Sequence, residues 1–162
     1  MEKKKEIPEV QSYSEQLETR LNAGLVLNQL VEAFDDFFAR RKISKLDELT
    51  TLRLIKVFLH EEKGAIKDIC AGSILSHRDC LTLSVMTCLL AGRRGFQVKI
   101  GRPEKISRYF HSLITRKNGE IFKVSGSDRN HKAKEMNVDE VLDRFKYIHP
   151  IIKTADLIKS KC

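Results

Sequence analysis

Apolar residues recur at three- and four-residue steps through the first quarter of the chain. Ser12 and Glu15 have the spacing of a capping box, in which each side chain binds the backbone N–H of the other residue. The apolar positions that follow are Leu17, Leu21, Leu25, Val31, Phe34 and Phe38. This period is typical of an amphipathic helix, and it predicts one helix from Ser12 to about Arg41.

A second apolar repeat begins after Ser44 and predicts another helix, which ends before Gly64. Its apolar positions share one helical face and are Leu46, Leu49, Leu52, Ile55 and Leu59. Neither helix combines its apolar face with a group of convergent polar side chains. Residues 12–63 are therefore predicted to be a helical scaffold, and residues 65–78 are expected to be less regular.

The third predicted helix starts at Asp79, whose carboxylate can cap the free N–H groups of a helix N-terminus. Its apolar positions include Leu81, Val85, Cys88 and Leu89, and Gly92 is the expected terminator. Beyond Gly95 the period changes to two, because Phe96, Val98 and Ile100 alternate with polar residues. That alternation predicts a β-strand.

A polar loop at residues 101–107 separates this strand from a predicted hairpin. Two apolar-rich runs, 109–115 and 121–124, are joined by Asn118-Gly119, and Asn-Gly is a strong signal for a hairpin turn. Further on, Asn137 and Glu140 can cap a helix that stops near Pro150. The apolar positions of that helix are Val138, Val141, Leu142 and Phe145.

These elements predict the α+β fold class, with helices packed on a small antiparallel sheet in one domain of 162 residues. Residues 1–11 are mostly charged and are expected to fray. Helices are expected within 137–160, including a short one at 155–159.

Composition sets limits on the class of protein. Hydrophobic residues make up 41% of the chain, and no apolar run approaches the ~20 residues that cross a bilayer. The N-terminus lacks the apolar segment of a secretory signal, so we expect a cytoplasmic protein with no membrane partner. Its four cysteines do not form the pattern of a disulfide framework or a zinc site, and we expect neither a metal nor another cofactor.

The formal net charge of +8 raises the question of a nucleic-acid partner. The basic residues are scattered along the chain, and no nucleic-acid motif accompanies them. The aromatic residues are mostly phenylalanines at helical spacing. The sequence therefore predicts a weak, generic affinity for polyanions and no dedicated nucleic-acid site.

Cys80 is the candidate nucleophile. It follows the predicted cap Asp79 directly, and a helix N-terminus favours the thiolate because the dipole and free N–H groups stabilise an anion. Cys88 lies two turns further in and gains none of this effect. A cysteine nucleophile also needs a base, and His111 on the first hairpin strand is the candidate. Alternation places His111, Leu113 and Thr115 on one face of that strand.

The order of these residues resembles the transglutaminase-like superfamily, within the papain-like group of cysteine enzymes. Members carry Gly-Asp-Cys, an apolar helix ending in Leu-Leu-Arg-x-x-Gly-Ile, then His-Ala-Trp and Gly-x-Trp-x-x-x-Asp. This chain reads SHRDCLTLSVMTCLLAGRRGFQVKIGRP and later YFHSLITRKNGEIFKVSG. Asp79-Cys80, Leu89-Leu90, Gly95 and His111 fall at the corresponding places. The resemblance covers about residues 72–128.

The chain departs from the family pattern at several positions. Arg78 replaces the glycine before the motif, and Ser112-Leu113 replaces Ala-Trp. Ser125 stands where the family has the aspartate that orients the histidine, and Asp128 lies three residues further on. The chain contains no tryptophan, so the backbone N–H of Cys80 would have to contribute to an oxyanion site.

The resemblance implies a cysteine-dependent enzyme that acts on an amide bond of a peptide or protein through a thioester. Cys80 would attack, His111 would transfer the proton, and Ser125 or Asp128 would orient the ring. Hydrolysis is favoured over acyl transfer, and a resemblance of residues 95–98 to arylamine acyltransferases ranks lower. The alternative is a catalytically degenerate module of the same fold that binds a protein or a polyanion. A third possibility is a helical scaffold in which both residues are incidental.

Overall fold

The computed structural model describes residues 11–43, 46–103, 112–117, 119–124 and 133–148. These contain six helices and a four-stranded antiparallel sheet, which establish the α+β class. The helices are α1 Tyr13–Arg20, α2 Gly24–Ala39, α3 Glu48–Glu61, α4 Lys63–Cys70, α5 Cys80–Arg93 and α6 Val138–Ile148. The strands are β1 Lys99–Pro103, β2 Leu113–Thr115, β3 Ile121–Phe122 and β4 Ala133–Glu135.

Helix α5 lies at the centre of the fold. Almost every residue between Leu81 and Ala91 is buried. The helix contacts α1, α2 and α3, and it also contacts strands β1 and β2 of the sheet. This two-sided burial explains why its sequence is apolar around most of the helix, since a helix covered on all sides needs no polar stripe.

The predicted long N-terminal helix is two helices, so that prediction was wrong. The capping box at Ser12 and Glu15 is present, but α1 ends at Arg20 and the chain turns at Asn22 with a φ of 51°. The N–H of Ala23 binds the carbonyl of Glu18 at 3.0 Å, and the N–H of Asn22 binds that of Thr19 at 3.1 Å. These two bonds form a Schellman motif, in which asparagine is tolerated in the left-handed conformation.

The break changes which apolar residues face the core. In α2 the buried positions are Leu27, Leu30, Phe34 and Phe37. Leu25, which the continuous helix would have buried, has 80% of its surface exposed. The turn at Asn22 resets the helical phase, so a single period drawn through both helices misplaces Leu25, although its later position Phe34 is buried.

The next helix begins later than predicted, at Glu48, because Asp47 caps it. The carboxylate of Asp47 accepts the N–H of Thr50 at 2.7 Å. Residues 44 and 45 lie outside the described part of the chain. Most of α4 lies in the segment predicted to be less regular, residues 65–78, and irregular backbone in that segment is confined to the residues between α4 and α5.

Helix α5 starts at Cys80 with Asp79 as its cap, as predicted. Its end differs from the prediction, because Gly92 lies inside the helix and Gly95, with a φ of 87°, follows the cap. The N–H groups of Gly95 and Phe96 bind the carbonyls of Gly92 and Ala91 at 3.0 and 2.9 Å, forming a second Schellman motif.

The sheet has the order β3-β2-β1-β4. The predicted hairpin is confirmed, with Ile100 opposite Ile114 and Ile114 opposite Phe122. The strand before it is displaced from its predicted position, because β1 leaves out residues 96–98 and includes residues 101–103, which were predicted to be loop. Gly119 has a φ of 81° in the turn, and Asn118 lies outside the described residues. Strand β4 was not predicted, because its three residues are too short a run to show a period.

The remaining helix, α6, confirms the predicted capping box. The side chain of Asn137 accepts the N–H of Glu140 at 2.8 Å, and the side chain of Glu140 accepts the N–H of Asn137 at 3.4 Å. The predicted apolar positions of α6 are all buried. The short helix predicted at 155–159 lies outside the described residues.

Candidate active site

The candidate nucleophile Cys80 is the first residue of α5. The Asp79 side chain holds this helix end in two ways, since Oδ1 accepts the N–H of Thr82 at 2.9 Å and Oδ2 accepts its hydroxyl at 3.0 Å. The first N–H groups of a helix have no carbonyl partner within that helix, so they can bind a developing negative charge. Cys80 therefore lies at the end of α5 where backbone N–H groups that lack an intrahelical partner can bind an oxyanion.

Burial distinguishes Cys80 from the other described cysteines. Cys80 is half-buried, whereas Cys70 and Cys88 are buried. Burial raises the pKa of the Cys70 thiol to about 11 and that of Cys88 to about 12. The Cys88 thiol also donates to the carbonyl of Val98 at 3.3 Å. These two cysteines are core residues that remain protonated and poorly reactive at neutral pH.

The start of the first hairpin strand lies against the N-terminus of α5. The Cys80 Sγ atom is 3.9 Å from the carbonyl oxygen of Ser112. One turn into the helix, the Ser84 hydroxyl binds the Ser112 hydroxyl at 3.2 Å, and both residues are fully buried. No pattern in the sequence indicates this hydroxyl pair, because its two members are far apart in the chain and each is an ordinary polar residue.

The two faces of β2 have different surroundings. Ser112, which directly precedes β2, and Ile114 within the strand are fully buried, and the Ser112 side chain faces α5 through its bond to Ser84. Thr115 lies on the other face, where its hydroxyl donates to the carbonyl of Lys99 at 3.2 Å. The face that packs on the nucleophile-bearing helix is therefore the one that carries Ser112.

Of the four predicted site residues, the structure describes only Cys80. His111, Ser125 and Asp128 lie outside the described residues, so their roles stay predictions. His111 directly precedes Ser112 in the chain, and the Ser112 carbonyl oxygen contacts the Cys80 thiol.

Within the described ranges, no group of three histidine, cysteine or acidic side chains is placed to hold a metal ion. Every helix there is too short or too polar to cross a lipid bilayer.

Comparison with known proteins identifies no relative of this chain. No protein-family model, curated protein or solved structure matches the chain. The resemblance to the transglutaminase-like superfamily therefore rests on the sequence motifs alone.

Proposed function

We propose that the protein is a cysteine-dependent enzyme of the transglutaminase-like type, which hydrolyses an amide bond of a peptide or protein. The observation that carries this proposal is the contact between the Cys80 thiol and the carbonyl of Ser112. The nucleophile at the helix N-terminus adjoins Ser112, the residue that follows His111 in the chain. Papain-like enzymes need this proximity between the cysteine-bearing helix and the histidine-bearing strand. Strict alternation would turn His111 to the face opposite Ser112, so the proposal requires the chain to leave the strand pattern before Leu113, where β2 begins.

The chemistry follows from the roles of the residues. His111 accepts the thiol proton, and the Cys80 sulfur attacks the carbonyl carbon of the amide. The oxyanion binds the backbone N–H at the start of α5. When the tetrahedral adduct collapses, the C–N bond breaks and His111 donates the proton to the departing amine, leaving a thioester. Water then attacks the thioester, and its proton returns through His111 to the cysteine sulfur.

Alkylation of individual cysteines tests the proposed pair. Iodoacetamide is added at several pH values, and the modification of each cysteine is followed by peptide mass spectrometry. We expect Cys80 to react at least ~10-fold faster than Cys88 at neutral pH, because the Cys88 thiol is buried and protonated. We also expect His111→Ala to lower the Cys80 rate to that of glutathione measured alongside.

A matched variant separates the role of His111 from a general effect of removing an imidazole. His77 is exposed, lies three residues before Cys80, and is replaced by alanine in the control. If His77→Ala lowers the Cys80 rate while His111→Ala does not, the assignment of His111 is wrong. If Cys80 reacts no faster than glutathione in the native protein, the enzyme proposal fails. The alternative, a catalytically degenerate module that binds a protein or a polyanion, is then favoured.

Acyl transfer is measured with an activated ester as the probe. We expect p-nitrophenyl acetate to release a burst of about one equivalent of p-nitrophenol, as the acetyl group is transferred to Cys80. The burst should be absent in Cys80→Ala and retained in Cys70→Ala. Ser125→Ala and Asp128→Ala then show which of the two residues orients His111, since only that change should slow the burst.

A further inference from the structure

Helix α3 presents a basic face to solvent. Arg53, Lys56, Val57 and His60 are all exposed, and residues three and four positions apart lie on the same side of a helix. The acidic residues of α3, Glu48 and Glu61, lie at its two ends. We call these four residues the α3 basic face.

The cations of this face differ from most described arginines, which are paired. Arg20, Arg40, Arg41, Arg93, Arg94 and Arg116 each form an ion pair with an acidic side chain. Within the described ranges, neither Arg53 nor Lys56 forms an ion pair. The carboxylates of Glu48 and Glu61, at the two ends of α3, are engaged by Arg116 and Arg41. The α3 basic face therefore carries charge that the described part of the chain does not neutralise.

The neighbouring hairpin is fixed against α3 and extends this surface. Arg116 binds Glu48 at 2.7 Å, and the side chains of both residues are largely buried. The Lys56 ammonium lies 5.8 Å from the centre of the Phe122 ring on β3. Lys117 is exposed in the adjoining turn. Among the described strands β3 is at one edge of the sheet, and an extended ligand can pair along such an edge.

One apolar side chain lies within the basic face. Val57 has 36% of its surface exposed and is among the few large hydrophobic residues that the described part of the chain exposes. It lies next to Lys56 in the chain, between Arg53 and His60. A partner that matches this surface needs negative charges around an apolar group, whereas a phosphate backbone supplies only the charges.

We propose that the α3 basic face binds an acidic polypeptide segment that carries an apolar side chain between its carboxylates. Nucleic-acid bases stack on exposed aromatic rings, whereas Phe122, the aromatic residue described at this surface, is half-buried beneath Lys56. A lipid surface would need a larger apolar area than one valine provides. This inference is independent of the chemistry proposed for Cys80.

Fluorescence anisotropy with a labelled peptide tests the proposal. The probe is a synthetic peptide of about 12 residues in which glutamates flank leucines, long enough to follow the ~10 Å from Arg53 to His60. The double variant R53E/K56E reverses two charges of the face. Its control, K134E/K146E, reverses two exposed lysines on β4 and α6, and β4 lies at the sheet edge opposite β3.

Both variants lower the formal net charge from +8 to +4, because each substitution changes the charge by two. We expect R53E/K56E to weaken peptide binding at least ~10-fold and the control to weaken it less than ~2-fold. Val57→Ser should weaken binding of the leucine peptide and leave binding of a glycine-substituted peptide unchanged. Binding should also fall as salt is raised from about 50 to 300 mM.

Three outcomes would overturn the proposal. The two charge-reversal variants could lose affinity equally, which would indicate a general effect of net charge. Native protein could fail to bind the peptide at low salt. A single-stranded oligonucleotide or vesicles of anionic lipid could bind more tightly than the peptide and depend on the same residues, which would assign the face to that class of partner.

Discussion

Replacing Gly92 with alanine separates helix propensity from tertiary packing, because the two predict opposite signs. Gly92 lies inside α5 and does not have a positive φ. In a helix interior, alanine is favoured over glycine by roughly 0.5–1 kcal/mol. A new Cβ atom at this position, however, would lie 2.2 Å from Oγ and 2.6 Å from Cβ of Ser14 on helix α1.

No side-chain rotation relieves this overlap completely. A rotation of the Ser14 hydroxyl would remove the contact with Oγ, but the Ser14 Cβ atom is fixed to the backbone of α1. The rotation would also break the hydrogen bond from Ser14 to Gln97, which measures 3.1 Å. The two helices must therefore move apart, and overpacking of this kind costs about 1–3 kcal/mol. We expect Gly92→Ala to lower the free energy of unfolding by that amount.

Urea denaturation followed by circular dichroism measures the effect. Gly64→Ala is the matched control, since Gly64 lies in helix α4 and a Cβ atom there would meet no atom within 4 Å. It should stabilise the protein by about 0.5 kcal/mol. In the double variant Ser14→Gly/Gly92→Ala, the loss should be smaller than the sum of the single losses by ~2 kcal/mol. If Gly92→Ala stabilises the protein as Gly64→Ala does, the close approach of α1 and α5 is refuted.

Two further predictions concern the interior around α5. Ser84→Ala and Ser112→Ala should each lower the free energy of unfolding by about 1–2 kcal/mol, since each leaves one buried hydroxyl without its partner. The double variant should lose less than the sum of the two single losses, and additive losses in denaturant titrations would contradict the contact. Burial raises the pKa of the Cys88 thiol to about 12, above the ~8.5 of an unfolded chain. The folded state therefore retains this proton, and stability present below pH ~8.5 should decline by up to ~1.4 kcal/mol per pH unit as the pH rises toward 12. Denaturation in reductant should show a shallower alkaline decline for Cys88→Ala, and an unchanged decline would refute this contribution.

The sequence by itself determined the features that depend on neighbouring residues. The capping boxes at Ser12 and Asn137 and the cap at Asp79 are local, because each side chain binds an N–H three residues away. The hairpin around Gly119 follows from turn chemistry in the same way. The position of Cys80 at a helix N-terminus was predictable for this reason.

Tertiary structure decided what depends on residues far apart in the chain. The helical period did not show the turn at Asn22, because apolar residues continue on both sides of it. Only packing distinguishes Gly92, a point of close approach to Ser14, from Gly95, the residue that ends the helix. The contact between the Cys80 thiol and the Ser112 carbonyl joins residues 32 positions apart. Such contacts arise when α5 is covered by helices and strands together, and no local pattern encodes them.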